Sequence, residues 1–348
     1  MSIVDTLLTS ANPRRRSRHA VDPLRPHAFL VELERAESGE VVSVATVFLT
    51  NRECPWRCVY CDLWKNTLPE TVPPDAIPAQ IDYALHRLWR DEFHESPSEA
   101  SKIQESGTRG TRPSTPDGRQ IKLYNAGSFF DPKAVPPGDF SAIAERVRGF
   151  ERVIVECHPA LVGESAVQFR TLLGPATLEV AMGLEIADDA ILAKLNKRMT
   201  LAMFRRAAQF LVRHGIAVRA FIIVKPPFVK TDDEAIVQAR HAIDFAFDCG
   251  ASVVSLIPAR FGAAELDELA RAGEFSPPSL DALEDSFDYG ISQRRGRVFV
   301  DLWDIEKLDG CCQCLAERVA RLREINLSQT ALLRIRCAHE GMRRTLIQ

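Results

Sequence analysis

Cys54-Pro55-Trp56-Arg57-Cys58-Val59-Tyr60-Cys61 puts three cysteines into eight residues, in a C-x3-C-x2-C pattern that follows the β-rich run Val41 to Thr50. Three thiolates on one loop are an incomplete ligand set for a metal centre that normally takes four. A structural zinc site wants four closed ligands, usually two C-x2-C pairs, and no pair lies near enough in sequence to complete one. A four-iron four-sulfur cluster can be held through three of its irons with the fourth left open, and an open iron can chelate a ligand. Free cysteines of a core scatter singly. Pro55, Arg57 and Asp62 mark this stretch as a loop with chemistry rather than core.

The triplet, the aromatic Tyr60 before its last cysteine and its place after a first strand resemble the radical S-adenosylmethionine (SAM) superfamily. The resemblance implies that Cys54, Cys58 and Cys61 hold the cluster and that its open iron chelates the amino and carboxylate groups of SAM. It also implies that Tyr60 lies at the cofactor and that a flavodoxin or ferredoxin supplies the electron for cleavage to a 5'-deoxyadenosyl radical. The protein's share in such chemistry is to place and shield the radical.

A chain of 348 residues with 46% apolar content fills either two domains or one α/β barrel with appendages. A net charge of -3 and a pI near 6.3 exclude a global basic field for nucleic acid. Local cationic runs remain, Arg14 to Arg16 with Arg18, and Arg294, Arg295 and Arg297. Nine cysteines without a secretory signal fit a reducing compartment and metal or redox use. No stretch approaches the roughly twenty apolar residues that span a bilayer, so a soluble cytoplasmic protein with no membrane association is expected.

Residues 1–26, with their prolines and arginines, read as a flexible arm or an extension lying across the fold. His27 to Arg35 and Val41 to Thr50 form a hairpin around Glu37-Ser38-Gly39-Glu40. Ala76 to Arg90 carries a helical apolar stripe. Residues 94–120 change to Ser, Pro, Thr, Gly and charge, an insertion expected to be disordered. Strands then follow at Ile121–Asn125, Arg152–Glu156, Thr177–Leu184, Val218–Val224 and Ser252–Ile257, separated by helices, one of them opened by Thr231 as N-cap. Alternation of this kind means βαβ units and a parallel sheet. Six βα units within residues 27–260 resemble the partial (βα)6 TIM-like barrel of radical SAM enzymes. Residues 261–348 form a small C-terminal extension with one further strand, Arg297–Leu302.

Ligands of such sheets sit outside the C-terminal strand ends. That rim collects the cysteines, Asn125 to Ser128, Glu156, Glu185, Lys225 and Pro258 to Arg260. Gly127 lets a ligand approach the backbone. The resemblance places Asn125, Gly127 and Ser128 at the amino group of SAM, although the usual two-glycine-plus-acid form is absent. The Glu185 carboxylate would accept hydrogen bonds from the ribose or amino group. In Lys194 to Thr200, Asn196 and a basic side chain would help hold SAM, Arg198 first because its planar fork suits a carboxylate, with Lys197 the alternative. Lys225 meets either a substrate anion or a neighbouring carboxylate, and it is the candidate catalytic residue.

Together these segments resemble the superfamily branch that contains the elongator catalytic subunit, and within it the radical SAM subunit of archaeosine synthase. That resemblance implies cleavage of a C–N bond in a lysine-bearing deazaguanine of tRNA, with a partner enzyme; a small-molecule substrate is the other course. Cys311, Cys312 and Cys314, with Cys337 and His339, form a second group that could hold zinc or an auxiliary cluster. The reading of another class is a non-catalytic zinc module that presents basic surfaces to RNA.

Overall fold

A computed structural model describes residues 18–90, 119–308 and 313–335. Among these residues eight strands form one sheet in which order in space follows order in sequence. They are β1 (Ala28–Arg35), β2 (Val41–Leu49), β3 (Gln120–Asn125), β4 (Arg152–Glu156), β5 (Thr177–Glu185), β6 (Ala217–Val224), β7 (Val253–Pro258) and β8 (Arg297–Val300). The first two pair antiparallel as the expected hairpin, with Ala28 opposite Phe48 and Arg35 opposite Val41. Every later pair is parallel. The intervening helices are α1 (Ala76–Arg90), α2 (Phe140–Val147), α3 (Glu164–Leu172), α4 (Asp189–Lys194), α5 (Leu201–Arg213), α6 (Asp232–Asp248), α7 (Ala264–Arg271) and α8 (Leu280–Gln293), and α9 (Leu315–Ser328) follows β8.

Right-handed crossovers put these helices outside the curled sheet. Between the two layers lie the alternate strand residues Val153, Val155, Leu178, Val180, Val218 and Ala220, all fully buried. Phe129 packs against Phe140 and Phe169 with ring centroids 5.7 and 4.9 Å away, and burying one such ring contributes about 2–3 kcal/mol. Thr231 caps α6 as the sequence predicts, its hydroxyl accepting from the Glu234 N–H at 3.2 Å.

The fold is the expected α/β partial barrel, with two differences. The strand at Arg297, assigned to the C-terminal extension, is the eighth strand of the same sheet and pairs with β7 from Val253↔Arg297 to Leu256↔Val300. β3 likewise begins at Gln120, within the segment read as insertion. Residues 94–118, Cys311, Cys312, Cys337 and His339 lie outside the described residues. Among the described residues of the N-terminal arm, the His19 N–H donates to the Lys65 carbonyl at 2.8 Å.

The concave side of the sheet is charged. Glu34 of β1 meets Arg219 of β6, a contact that only crosses the hollow of the curl. Lys122 of β3 lies 2.6 Å from Glu34 and 2.8 Å from Glu32, and Glu179 of β5 lies 2.6 Å from Arg219 and 2.8 Å from Arg152. Burial alone would raise Glu34, but Arg219 and Lys122 hold its carboxyl well below the usual range. These pairs floor the barrel, so ligands approach from the opposite rim.

The edge of β8 is closed by side chains. Asn326 accepts from the Val300 N–H and donates to its carbonyl, both at 2.9 Å, and Gln329 does the same for Val298 at 2.8 Å. An amide on the last turn of α9 and another at the residue just past its end thus stand in for the backbone of a ninth strand. At the seam, Arg297 donates to the Arg35 carbonyl of β1 at 2.9 Å.

Candidate active site at the barrel mouth

The cysteine loop leaves β2 over the mouth and is tied at both limbs. Gln80 of α1 accepts from the Thr50 N–H at 2.8 Å and donates to the Thr50 and Pro23 carbonyls at 2.7 Å. Glu53 N–H donates to the Leu68 carbonyl and Leu68 N–H to the Asn51 carbonyl, both 2.9 Å. On the other side the α4–α5 junction grips the loop: Val59 N–H donates to the Leu195 carbonyl at 3.1 Å, and Asn196 Nδ2 to the Arg57 carbonyl at 2.8 Å.

Beneath the loop, Lys197 and Glu185 form a buried ion pair, with the Tyr60 hydroxyl 3.4 Å from Lys197 Nζ. Burial alone would lower the ammonium, but the Glu185 carboxylate outweighs it and holds Lys197 above its ordinary value. The pair lies over Gly183, where any Cβ would collide with both Glu185 Oε1 and Lys197 Nζ. Glu185, Asn196, Arg198 and Lys225 have φ of 65°, 54°, 56° and 57°. Left-handed backbone is uncommon outside glycine, and its concentration at one rim marks a strained, shaped site.

At the end of β3, both amide atoms of buried Asn125 lack a hydrogen-bond partner among the described residues, while its N–H donates to Glu156 Oε2 at 3.1 Å. Burial pushes the Glu156 carboxyl up to about 7, held back by that N–H and by Lys197. Gly127 has φ of 152°, and a Cβ there would touch Cys54 Cβ at 3.4 Å, so glycine admits the loop above it. Ser128 Oγ accepts from the His158 N–H at 2.6 Å.

Burial and then Cys58 raise Cys54, which stands at about 11, and the same two influences raise Cys61 to about 12. The Cys58 charge reaches both other thiols, and a bound cation would displace their protons. Among the described residues no three His, Cys, Asp or Glu side chains close on a single ion. Ligands of a multi-iron cluster each bind a different iron and stand farther apart, which suits three free cysteines spaced along one loop. The donor set, with the unpartnered Asn125 below it, fits such a group.

Glu156, Glu185, Asn125, Gly127, Ser128, Tyr60 and Asn196 therefore gather around the cysteines. Of the two adjacent cations, Lys197 turns inward and Arg198 is exposed. Lys225 is spent on a carboxylate, its Nζ 2.8 Å from Asp232 and 3.3 Å from the Pro277 carbonyl. Cys314, the described member of the second cysteine group, is buried at the start of α9. Trp56 and His158 were not foreseen: their rings stack 3.9 Å apart with planes 10° from parallel. The only sequence hint was a histidine two residues beyond a strand-end glutamate.

No protein-family model matches the chain. An uncharacterized protein of Methanocaldococcus jannaschii is 21% identical over 274 residues, 76% of this chain and 69% of that one. Archaeosine synthase subunit beta of Methanosarcina acetivorans is 29% identical over 166 residues, 46% of this chain and 47% of its own length. Over that segment the chain is similar to archaeosine synthase subunit beta. It spans less than half of the archaeosine synthase subunit it matches. Among solved structures, Elp3 of Methanocaldococcus infernus, with its N-terminus deleted, superposes with a TM-score of 0.43 at 18% identity over 53% of this chain and 47% of that one. Coproporphyrinogen III oxidase (HemN) of Escherichia coli, a radical SAM enzyme, gives 0.40 at 14% identity over 75% and 57%. No described helix is long and apolar enough to cross a membrane.

Proposed function

We propose that the chain is a radical SAM enzyme in which Cys54, Cys58 and Cys61 hold a four-iron four-sulfur cluster and SAM lies over the barrel mouth, and that its substrate is a modified base of tRNA, cleaved as in archaeosine formation. When bound, the cluster supplies the electron that cleaves SAM reductively. The observation that carries the proposal is the mouth itself, where the loop of Cys54, Cys58 and Cys61 stands beside a buried Glu185–Lys197 pair and an Asn125 amide with no partner among the described residues.

In this assignment Asn125 offers an acceptor and two donors to the amino acid end of SAM, at a point where Gly127 keeps the backbone approachable. Lys197 would share its charge between Glu185 and the SAM carboxylate, and Glu185 would accept from the amino group or ribose. Tyr60 closes one wall. The charged floor excludes entry from below, which keeps a reactive intermediate away from bulk water. The tRNA assignment is supported by the named relative and by the cationic side chains of Arg57 and Arg198, both exposed beside the loop. A cytoplasmic setting and a small acidic electron carrier go with that chemistry.

The test is anaerobic reconstitution with iron and sulfide, then reduction with SAM, following 5'-deoxyadenosine. About four irons per chain and product that depends on all three cysteines are expected. Zinc in place of iron, or a Cys58→Ala variant that still cleaves SAM fully, overturns it. Release of product from tRNA carrying the lysine-bearing deazaguanine, and not from the free base, distinguishes tRNA from a small-molecule substrate.

A further inference from the structure

Trp56 lies between the first two cysteines, and its indole rests face to face on the imidazole of His158, centroids 3.9 Å apart and planes 10° from parallel. His158 follows β4, and none of its polar atoms is idle. Its backbone N–H donates to Ser128 Oγ at 2.6 Å. The Ala160 N–H donates to Nδ1 at 3.2 Å, so Nε2 carries the proton and donates to the Lys197 carbonyl at 3.0 Å. Burial, reinforced by the Lys197 charge, brings the ring down to about 4, so it is neutral at physiological pH.

These contacts close a circuit. The stack grips the loop at Trp56, Asn196 Nδ2 grips it at the Arg57 carbonyl at 2.8 Å, and the His158 bond to Lys197 joins the two grips. One side chain thus touches both the cysteine loop and the segment that carries Lys197. We propose that His158 is a positioning residue: through its stack on Trp56 and its bond to the Lys197 carbonyl it fixes where the cysteine loop stands relative to the Glu185–Lys197 pair. The role rests on the assignment of the loop as the cluster site.

Two substitutions separate its functions. His158→Phe keeps an aromatic face for Trp56 and loses both side-chain hydrogen bonds. His158→Gln keeps an amide donor and loses the stack. In metal-free protein, Trp56 emission is isolated as the difference between each protein and its Trp56→Phe partner. The expected results are emission shielded from acrylamide in the parent and in His158→Phe, but red-shifted and accessible in His158→Gln. After reconstitution, both variants are expected to load as much iron as the parent. Their dissociation constants for SAM should rise about tenfold, the effect of one misplaced hydrogen-bonding group. The electron paramagnetic resonance signal of the reduced cluster should respond differently to SAM. Should His158→Gln fail to fold, Trp56→Leu removes the same stack from the loop side.

SAM affinity and spectra equal to the parent in both variants overturn the positioning role. Parent protein that takes up no iron overturns the cluster assignment instead, and the metal-free emission still decides the positioning: Trp56 emission unchanged in His158→Gln refutes it.

Discussion

Gly183→Ala is the smallest change that reaches the centre of the site. The added methyl falls where Glu185 Oε1 and Lys197 Nζ meet, and lies 3.1 Å from Glu185 Cδ. Both partners end long side chains that can swing, but swinging parts them. Their side chains are only 7% and 11% exposed, so neither charge gains much water in return. Breaking a buried pair costs about 3–5 kcal/mol, and the freedom to swing favours about 3. With an unfolding entropy of about 2.1 cal/mol/K per residue, that lowers the melting temperature of a 348-residue chain by roughly 4 °C. The assay is anaerobic thermal unfolding of the metal-free protein at pH 7. Gly149→Ala is the control, since a Cβ there meets no atom within 4 Å, and it should stay within about 0.5 kcal/mol of the parent. A Gly183→Ala protein that melts within about 1 °C of the parent refutes the reasoning, because the pair would then tolerate separation.

Arg219→Met removes the cation shared by Glu34 and Glu179 and should destabilise by about 3–5 kcal/mol in urea titrations, because two carboxylates are left facing each other in the barrel floor. The Glu34 carboxyl is held below its unfolded value, so its stabilisation is present above about pH 4.5 and is lost as pH falls through the folded value; acid unfolding of the parent should be steeper than that of Glu34→Gln. Glu156 has the opposite sign. Its folded value of about 7 exceeds the unfolded 4.5, so the folded state holds the proton more tightly and stability falls as pH rises between them. Glu156→Gln should remove that slope and be more stable than the parent at pH 8, by up to roughly 3 kcal/mol in urea titrations. Asn125→Leu should stabilise the metal-free protein by about 1–3 kcal/mol, since both amide atoms lack partners among the described residues, while weakening SAM binding measured by equilibrium dialysis.

The parallel strands were legible because their outward residues form short apolar runs between helical stripes, and the loop was legible because three cysteines in eight residues have few other uses. The floor was not. Lys122, Glu179 and Arg219 interrupt strands that should be apolar on both faces, and that interruption was the signal that their inner face is charged. Choosing Arg198 over Lys197 weighed side-chain chemistry, whereas the left-handed turns at Asn196 and Arg198 decide which cation faces inward. Lys225 offered no clue to its partner, because Asp232 opens the following helix and reaches back across a double proline. The eighth strand was assigned to the extension because two helices separate it from β7, and chain distance says nothing about which edge a strand returns to.

The side-chain amides that finish β8 bear on how this protein meets others. An open strand edge recruits further chain through its unpaired N–H and C=O groups, whatever the sequence that arrives. Asn326 and Gln329 have already taken the Val300 and Val298 groups, so this flank of the sheet offers an arriving backbone nothing to bond there. A companion subunit arriving at this flank would have to be recognised by the shape and charge of side chains. Such recognition can discriminate between partners, and it lets go without unravelling a sheet.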